Sequence, residues 1–246
     1  MDRRLVAPAV GTGVFMALYL TTRPYGDASA DPHAIAAAFA SPWWVVAHVS
    51  GMAALASAAR LGVRMFDVAP SGLSAVARWC GLAGLVLVLP YYGAETFALH
   101  VLGQHAAAGD LGALEVAQQI RNGGVAMTMF GAGLLSLAVS GIASALAWAR
   151  VGSPRWAAAP LGACIATALP QFFLPSAGRV GFGIVTLGAA LLLAWHAARR
   201  NGHAGRVRRG HEGVQRAPNG TITREVGGLG GHDDAPTCAY ADDTTR

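Results

Sequence analysis

The chain contains no lysine. All 18 of its basic residues are arginine, and with 13 acidic residues only 13% of its 246 residues carry charge. A soluble domain carries about 25%. Cysteine is scarce as well. Cys80, Cys164 and Cys238 lie far apart with no CxxC spacing, which excludes a disulfide framework and a cysteine zinc site. The chain has no P-loop, no glycine-rich dinucleotide fingerprint and no Ser/His/Asp constellation. What it has in abundance is apolar sequence: 54% of residues are hydrophobic and the mean hydropathy is +0.43. The net charge of +5 does not point to nucleic acid. Its arginines flank the apolar runs, where such charge orients a membrane protein.

Six of those runs are long enough to span a bilayer. They cover about residues 5–21, 43–61, 79–100, 123–148, 156–175 and 179–198. Only a helix satisfies its own backbone in lipid, so the chain reads as an all-α, six-helix transmembrane bundle over residues 1–200. Arg3 and Arg4 precede the first span, Arg60, Arg64 and Arg78 join the second to the third, Arg150 and Arg155 join the fourth to the fifth, and Arg199 and Arg200 follow the sixth. The alternate loops hold only Arg23, Arg121 and Arg179. This bias puts both termini in the cytoplasm of a bacterial inner membrane. Tyr25, Trp43 and Trp44 then fall at the outer interface, and Trp79, Trp148, Trp156 and Trp195 at the inner one, as an aromatic belt. Ala28-Ser29-Ala30 has the small-x-small form of a signal-peptide cleavage site. The polar stretch before it is long and charged for that role, so the first span reads as a retained anchor.

Two outer loops are longer than a hairpin needs. Asp31 and Pro32 form an N-cap and first position for a short helix before the second span. Residues 111–120, LGALEVAQQI, read as a short amphipathic surface helix. Residues 201–246 are poor in bulky apolar side chains and are expected to be a disordered cytoplasmic tail. Its basic part, RVRRGHEGVQR, suits anionic lipid heads or simply sets topology. Asn219-Gly220-Thr221 matches a glycosylation sequon on the wrong side of the membrane.

Helices in lipid associate through small residues. In the fourth span Gly124, Thr128, Ala132, Ser136, Ser140 and Ser144 recur every four residues. Ala9, Gly13 and Ala17 in the first span, and Thr186, Ala190 and Ala194 in the sixth, repeat the pattern. Ser140 lies in AVSG, which resembles the GxSG of rhomboid-type proteases without its first glycine. The only histidine at a similar depth is His196, at the cytoplasmic end of the sixth span, whereas a rhomboid-like dyad opens to the outer side, so Ser140 reads as packing.

The residue that stands out is Glu95, inside LPYYGAETFALH. Counted from Trp79 it lies about 24 Å along its span, and His48, counted from Pro42, lies about 9 Å below the outer surface. In a core about 30 Å thick these are the same level. Gln171 falls there too, with Tyr19, Thr128 and Thr186 close by, and Pro90 and Pro170 sit just beneath. Tyr91 and Tyr92 share or flank the face of Glu95. An intramembrane carboxylate faces the bundle interior and has a partner. The expectation is therefore an outward-facing polar pocket of His48, Tyr92, Glu95 and Gln171, with His100 and His105 at its mouth. A zinc ion on His48, Glu95, His100 and His105, or a haem between histidines, is the alternative chemistry. Neither has a specific spacing, and the expectation is no cofactor.

The chain resembles the arginine-rich, lysine-free multi-pass membrane proteins of high-GC bacteria, through its composition over residues 1–200 and the stretch AIAAAFASPWWVVAH. The resemblance implies a plasma-membrane protein and supplies no catalytic residues. Three function classes remain: a non-enzymatic permease-like or ligand-binding module around Glu95, a membrane enzyme or redox subunit, and a structural partner in a homo- or hetero-oligomer.

Overall fold

A computed structural model describes residues 2–214. Of the tail expected from residue 201, residues 201–214 continue the last helix and differ from the expectation, while residues 215–246, with Asn219 and Cys238, lie outside the described residues. The elements are helical, with no strand among the described residues: α1 Val6–Thr22, α2 Pro32–Ala40, α3 Pro42–Val68, α4 Gly72–Gly93, α5 Leu99–Ala107, α6 Ala113–Arg121, α7 Gly124–Val151, α8 Ala159–Ala166 and α9 Ser176–Val214. A π-helical wide turn, Ala94–Ala98, joins α4 to α5 without a break in the rod.

Local sequence sets the helix starts. The Asp31 carboxylate accepts from the His33 N–H at 2.9 Å ahead of Pro32, as its sequence predicts. Ser41 does the same for α3, accepting from the Trp43 N–H ahead of Pro42. Ser71 and Ser74 cap α4 reciprocally. Between α5 and α6, Gly109 takes φ +109°, a left-handed conformation that costs glycine nothing.

Five helical runs are long and apolar enough to cross a membrane: Arg3–Thr22, Pro42–Val68, Gly72–Ala107, Gly124–Val151 and Ser176–Arg199. This is an integral membrane protein. The predicted span 156–175 is not among the five continuous helices, but it leads from the end where Ala157 and Leu161 pack with Trp148 to the end where Phe172 packs with Tyr19 and Tyr92, as an interrupted crossing. It divides into a 3-10 turn at Arg155–Ala158, the eight-residue α8, and a second 3-10 turn at Pro170–Phe173. Two features end α8. The Thr167 hydroxyl donates to the Ala163 carbonyl at 2.8 Å, and Pro170 has no N–H to continue the ladder. The third predicted span, 79–100, is longer than expected. Its 36 residues would reach about 54 Å, well beyond a 30 Å core. The far end, α5, stands clear of the bundle and packs with α2 and α6 as a cap built on Phe39, Trp44, Leu99 and Ala117.

Small residues form the seams. A side chain at Gly13 would strike Ala190 and Leu187, and one at Gly183 would meet Ala17 and Leu20, so α1 lies tightly on α9. Gly84 faces Gly133 and Leu137, and Gly62 and Gly81 face the Ser140 hydroxyl, which donates to the Ala77 carbonyl at 2.6 Å. Ser140 is packing. The α7 ridge is used within the bundle only in its second half. Ser140 and Ser144 are buried, while Gly124, Thr128 and Ala132 are exposed.

The aromatic belt is smaller than the sequence suggests. Trp43, Trp79, Trp156 and Trp195 are exposed, but Trp44 and Trp148 are fully buried. Trp148 donates to the Pro154 carbonyl at the end that carries Leu5 and Leu161. Trp44 belongs to a polar cluster at the opposite end, beneath α2.

Candidate functional site

Glu95 sits on the wide turn Ala94–Ala98, five residues after Pro90. Wide turns leave the regular backbone ladder and recur at functional sites. The Glu95 carbonyl accepts a hydrogen bond from the Trp44 indole at 2.7 Å, so a side chain on α3 holds the backbone of the turn. The Thr96 hydroxyl donates back to the Tyr92 carbonyl at 2.6 Å.

The carboxylate is held from three sides. Its Oε1 accepts from the Tyr91 hydroxyl at 3.1 Å and from Arg121 Nε at 2.8 Å. Its Oε2 lies 3.5 Å from His48 Nε2. His48 Nδ1 is 2.8 Å from the Trp44 carbonyl, which only accepts, so Nδ1 carries the ring hydrogen. Arg121 reaches further, donating from Nη2 to Asp27 Oδ2 at 3.1 Å. The same oxygen accepts from Arg23 Nη2 at 2.7 Å, and Arg23 Nη1 donates to the Tyr19 hydroxyl at 2.8 Å. One chain of contacts thus runs Tyr19, Arg23, Asp27, Arg121, Glu95, His48. It ties together α1, the turn after it, α6, the wide turn and α3.

Two guanidiniums and two carboxylates balance. Burial works against the charge on Arg23, but the Tyr19 hydroxyl and the Asp27 and Glu95 carboxylates outweigh it and hold its pKa above the ordinary arginine value. Arg121 is raised likewise, burial being outweighed by Glu95 and Asp27. Each guanidinium also lies over a ring: Arg23 is 5.2 Å from the Trp44 centroid and Arg121 is 5.6 Å from that of Phe39. His48 is enclosed by the rings of Trp44 at 4.1 Å, Tyr19 at 5.6 Å and Tyr92 at 6.1 Å. Gly51 permits this: a side chain there would press on the Tyr19 and Tyr92 rings.

Beside the cluster is a cavity of about 270 Å³. Arg23, Arg121, Glu95, His48, Tyr19, Tyr91 and Tyr92 line its polar end, and Met127, Phe130, Gly131, Leu169, Phe172 and Phe173 line the remainder. The break after α8 supplies that second wall. Irregular chain there brings three apolar side chains to the cavity from five consecutive residues.

The chain matches no protein-family model, no curated protein and no solved structure. Geometry alone carries the functional reading.

The structure brings together His48, Tyr92 and Glu95 of the four residues expected in the pocket. Gln171 is buried on the 3-10 turn between Leu169 and Phe172 but does not line the cavity, and its Oε1 has no hydrogen-bond partner among the described residues. His100 and His105 are not at the mouth. His100 turns its Nδ1 to the Phe39 carbonyl at 2.8 Å and pairs with Gln104, pinning α5 to α2, and His105 is exposed at the end of α5. Among the described residues no three His, Cys, Asp or Glu side chains converge as a metal site. Of the other residues expected at this level, Tyr19 joins the cluster. The Thr128 and Thr186 hydroxyls instead donate back to their own helices.

Sequence reasoning missed Arg23, Asp27 and Arg121, treating the arginines as sparse loop charge. A signal was present. Three arginines stand on the side where an arginine disfavours the expected topology, and each has a partner in the structure that explains it. Arg179, the third, donates from Nε to the Leu174 carbonyl at 2.9 Å and lies over Tyr25.

Proposed function

We propose that this chain is a non-enzymatic membrane protein, a small permease-like or ligand-binding module whose pocket around Glu95 admits a small molecule. One observation carries the reading: a 270 Å³ cavity ends on a buried, charge-balanced cluster. Buried ion pairs stabilise a fold little more than apolar packing does. A cluster that served only to lock helices would need no space beside it. We further propose a bacterial plasma-membrane location with both termini cytoplasmic and the pocket facing away from the cytoplasm. The arginine distribution of the connecting segments supports that orientation. The basic run RVRRGHEGVQR would then meet the anionic head groups of the inner leaflet.

Gly131 provides the test. It lines the cavity, and a side chain added there meets nothing within 4 Å. Gly131→Leu fills the space without straining the helix. The wild type in detergent should gain thermal stability when a total lipid and metabolite extract of its source membrane is added, and Gly131→Leu should gain none. Equal gains in the two proteins would refute the reading.

A further inference from the structure

The two oxygens of the Glu95 carboxylate are unequally occupied. Oε1 accepts two hydrogen bonds, from Tyr91 and Arg121. Oε2 accepts none from the described residues and faces His48 Nε2 at 3.5 Å, beyond a good hydrogen bond. His48 Nδ1 is turned to the Trp44 carbonyl, which leaves Nε2 as the ring nitrogen that faces the carboxylate. Nε2 and Oε2 thus face each other across a gap too long for a good hydrogen bond. Their side chains are only 2% and 6% exposed, and both line the cavity. A buried carboxylate oxygen left without a donor is costly, so Oε2 calls for one from the cavity side.

The surrounding charge narrows which donor fits. Arg23 and Arg121 stand against a cation, and Asp27 and Glu95 against an anion. A neutral hydroxyl disturbs neither balance. The other wall selects the body attached to it. Met127, Phe130, Leu169, Phe172 and Phe173 are apolar, and Phe173 is 86% exposed and Met127 44% exposed on the outside of the bundle. The apolar wall is thus continuous with the lipid-facing surface. The volume of 270 Å³ lies just under the range of about 300–1,000 Å³ usual for ligand pockets. It holds a head group and the start of a chain, with the remainder left in the bilayer.

We propose that the pocket takes the hydroxyl head of a neutral, single-chain lipid that arrives sideways from the membrane, its O–H donating to Glu95 Oε2 and its oxygen lying beside His48 Nε2. This rests on the pocket reading above and adds the ligand's class and route.

The test uses the full chain in phosphatidylcholine nanodiscs and three probes with one chain length: 1-dodecanol, dodecyl methyl ether and dodecyltrimethylammonium. The readout is the unfolding temperature against probe concentration for wild type, Gly131→Leu and His48→Phe. The alcohol should stabilise the wild type at roughly one-tenth the concentration the ether needs, the size expected for one hydrogen bond to a charged acceptor. Gly131→Leu should respond to neither. His48→Phe keeps a ring among Trp44, Tyr19 and Tyr92 and leaves Glu95 Oε2 in place, so the alcohol should still act at a lower concentration than the ether, by a smaller factor than in the wild type. Should it fail to fold, the alcohol-to-ether comparison in the wild type decides alone. An ether equal to the alcohol, or the ammonium as the strongest probe, overturns the hydroxyl assignment while a difference between wild type and Gly131→Leu preserves the pocket. No difference between wild type and Gly131→Leu for any probe overturns both.

Discussion

Glu95 and Arg121 are the residues on which the site turns. Each compensates a charge that burial makes expensive, so removing one strands the other. Glu95→Gln is expected to cost up to about 3 kcal/mol of stability, because Arg121 keeps its charge and is left with only Asp27, which it shares with Arg23. Glu95→Gln with Arg121→Met should cost clearly less than the two single changes added together, and chemical unfolding of the four proteins in detergent measures that coupling. Trp44 acts on the backbone instead. In Trp44→Phe the Glu95 carbonyl loses its indole donor, a loss of about 1–3 kcal/mol if the site stays dry. Amide exchange should then quicken over residues 94–98 before it quickens elsewhere in the rod. A uniform loss of protection would show that the indole bond does not hold the wide turn.

At the scale of helices, α7 offers a contrast two residues apart. Gly131 faces open space, whereas a side chain at Gly133 would meet Val88 and the Gly84 carbonyl. Gly131→Leu should therefore be neutral or slightly stabilising, since glycine inside a helix costs about 0.5–1 kcal/mol relative to alanine. Gly133→Leu should push α7 off α4 and lower the unfolding temperature by many degrees. The seams were legible in the sequence because a four-residue spacing places small side chains on one stripe of a helix. The level shared by His48 and Glu95 was legible for a similar reason, since each helical residue advances a fixed distance. Asp27 and Arg121 escaped that arithmetic. They lie outside the long helices, and Asp27 meets Arg121 across 94 residues of sequence. The run at 156–175, expected as one helix, is interrupted: its hydropathy is continuous while its backbone is not. Thr167 and Pro170 break a run that composition alone reads as whole.

For the molecule as a whole, the bundle has two dissimilar ends. One has an apolar interior, built on Leu5, Met65, Trp148 and Leu161, with charge at its surface, as in the Arg64–Asp67 pair. The other carries the α2, α5 and α6 cap over the charged cluster. The arginine bias predicts that the capped end faces away from the cytoplasm. In a protein with its native cysteines replaced, a membrane-impermeant maleimide applied to intact cells should label Ala30→Cys and Asp110→Cys but not Ser153→Cys. Labelling of Ser153→Cys alone would reverse the orientation and turn the pocket inward.

The central claim is that the space beside Glu95 is there to be occupied. The most direct measurement is mass spectrometry of small molecules retained by wild type and by Gly131→Leu, each purified from the same membranes in the mildest workable detergent. The account predicts a specific neutral lipid in near-stoichiometric amount on the wild type and its absence from a Gly131→Leu protein of equal or greater stability. Identical retained lipids on both proteins would contradict it and leave Glu95, Arg121, Asp27 and Arg23 as a device for holding helices together.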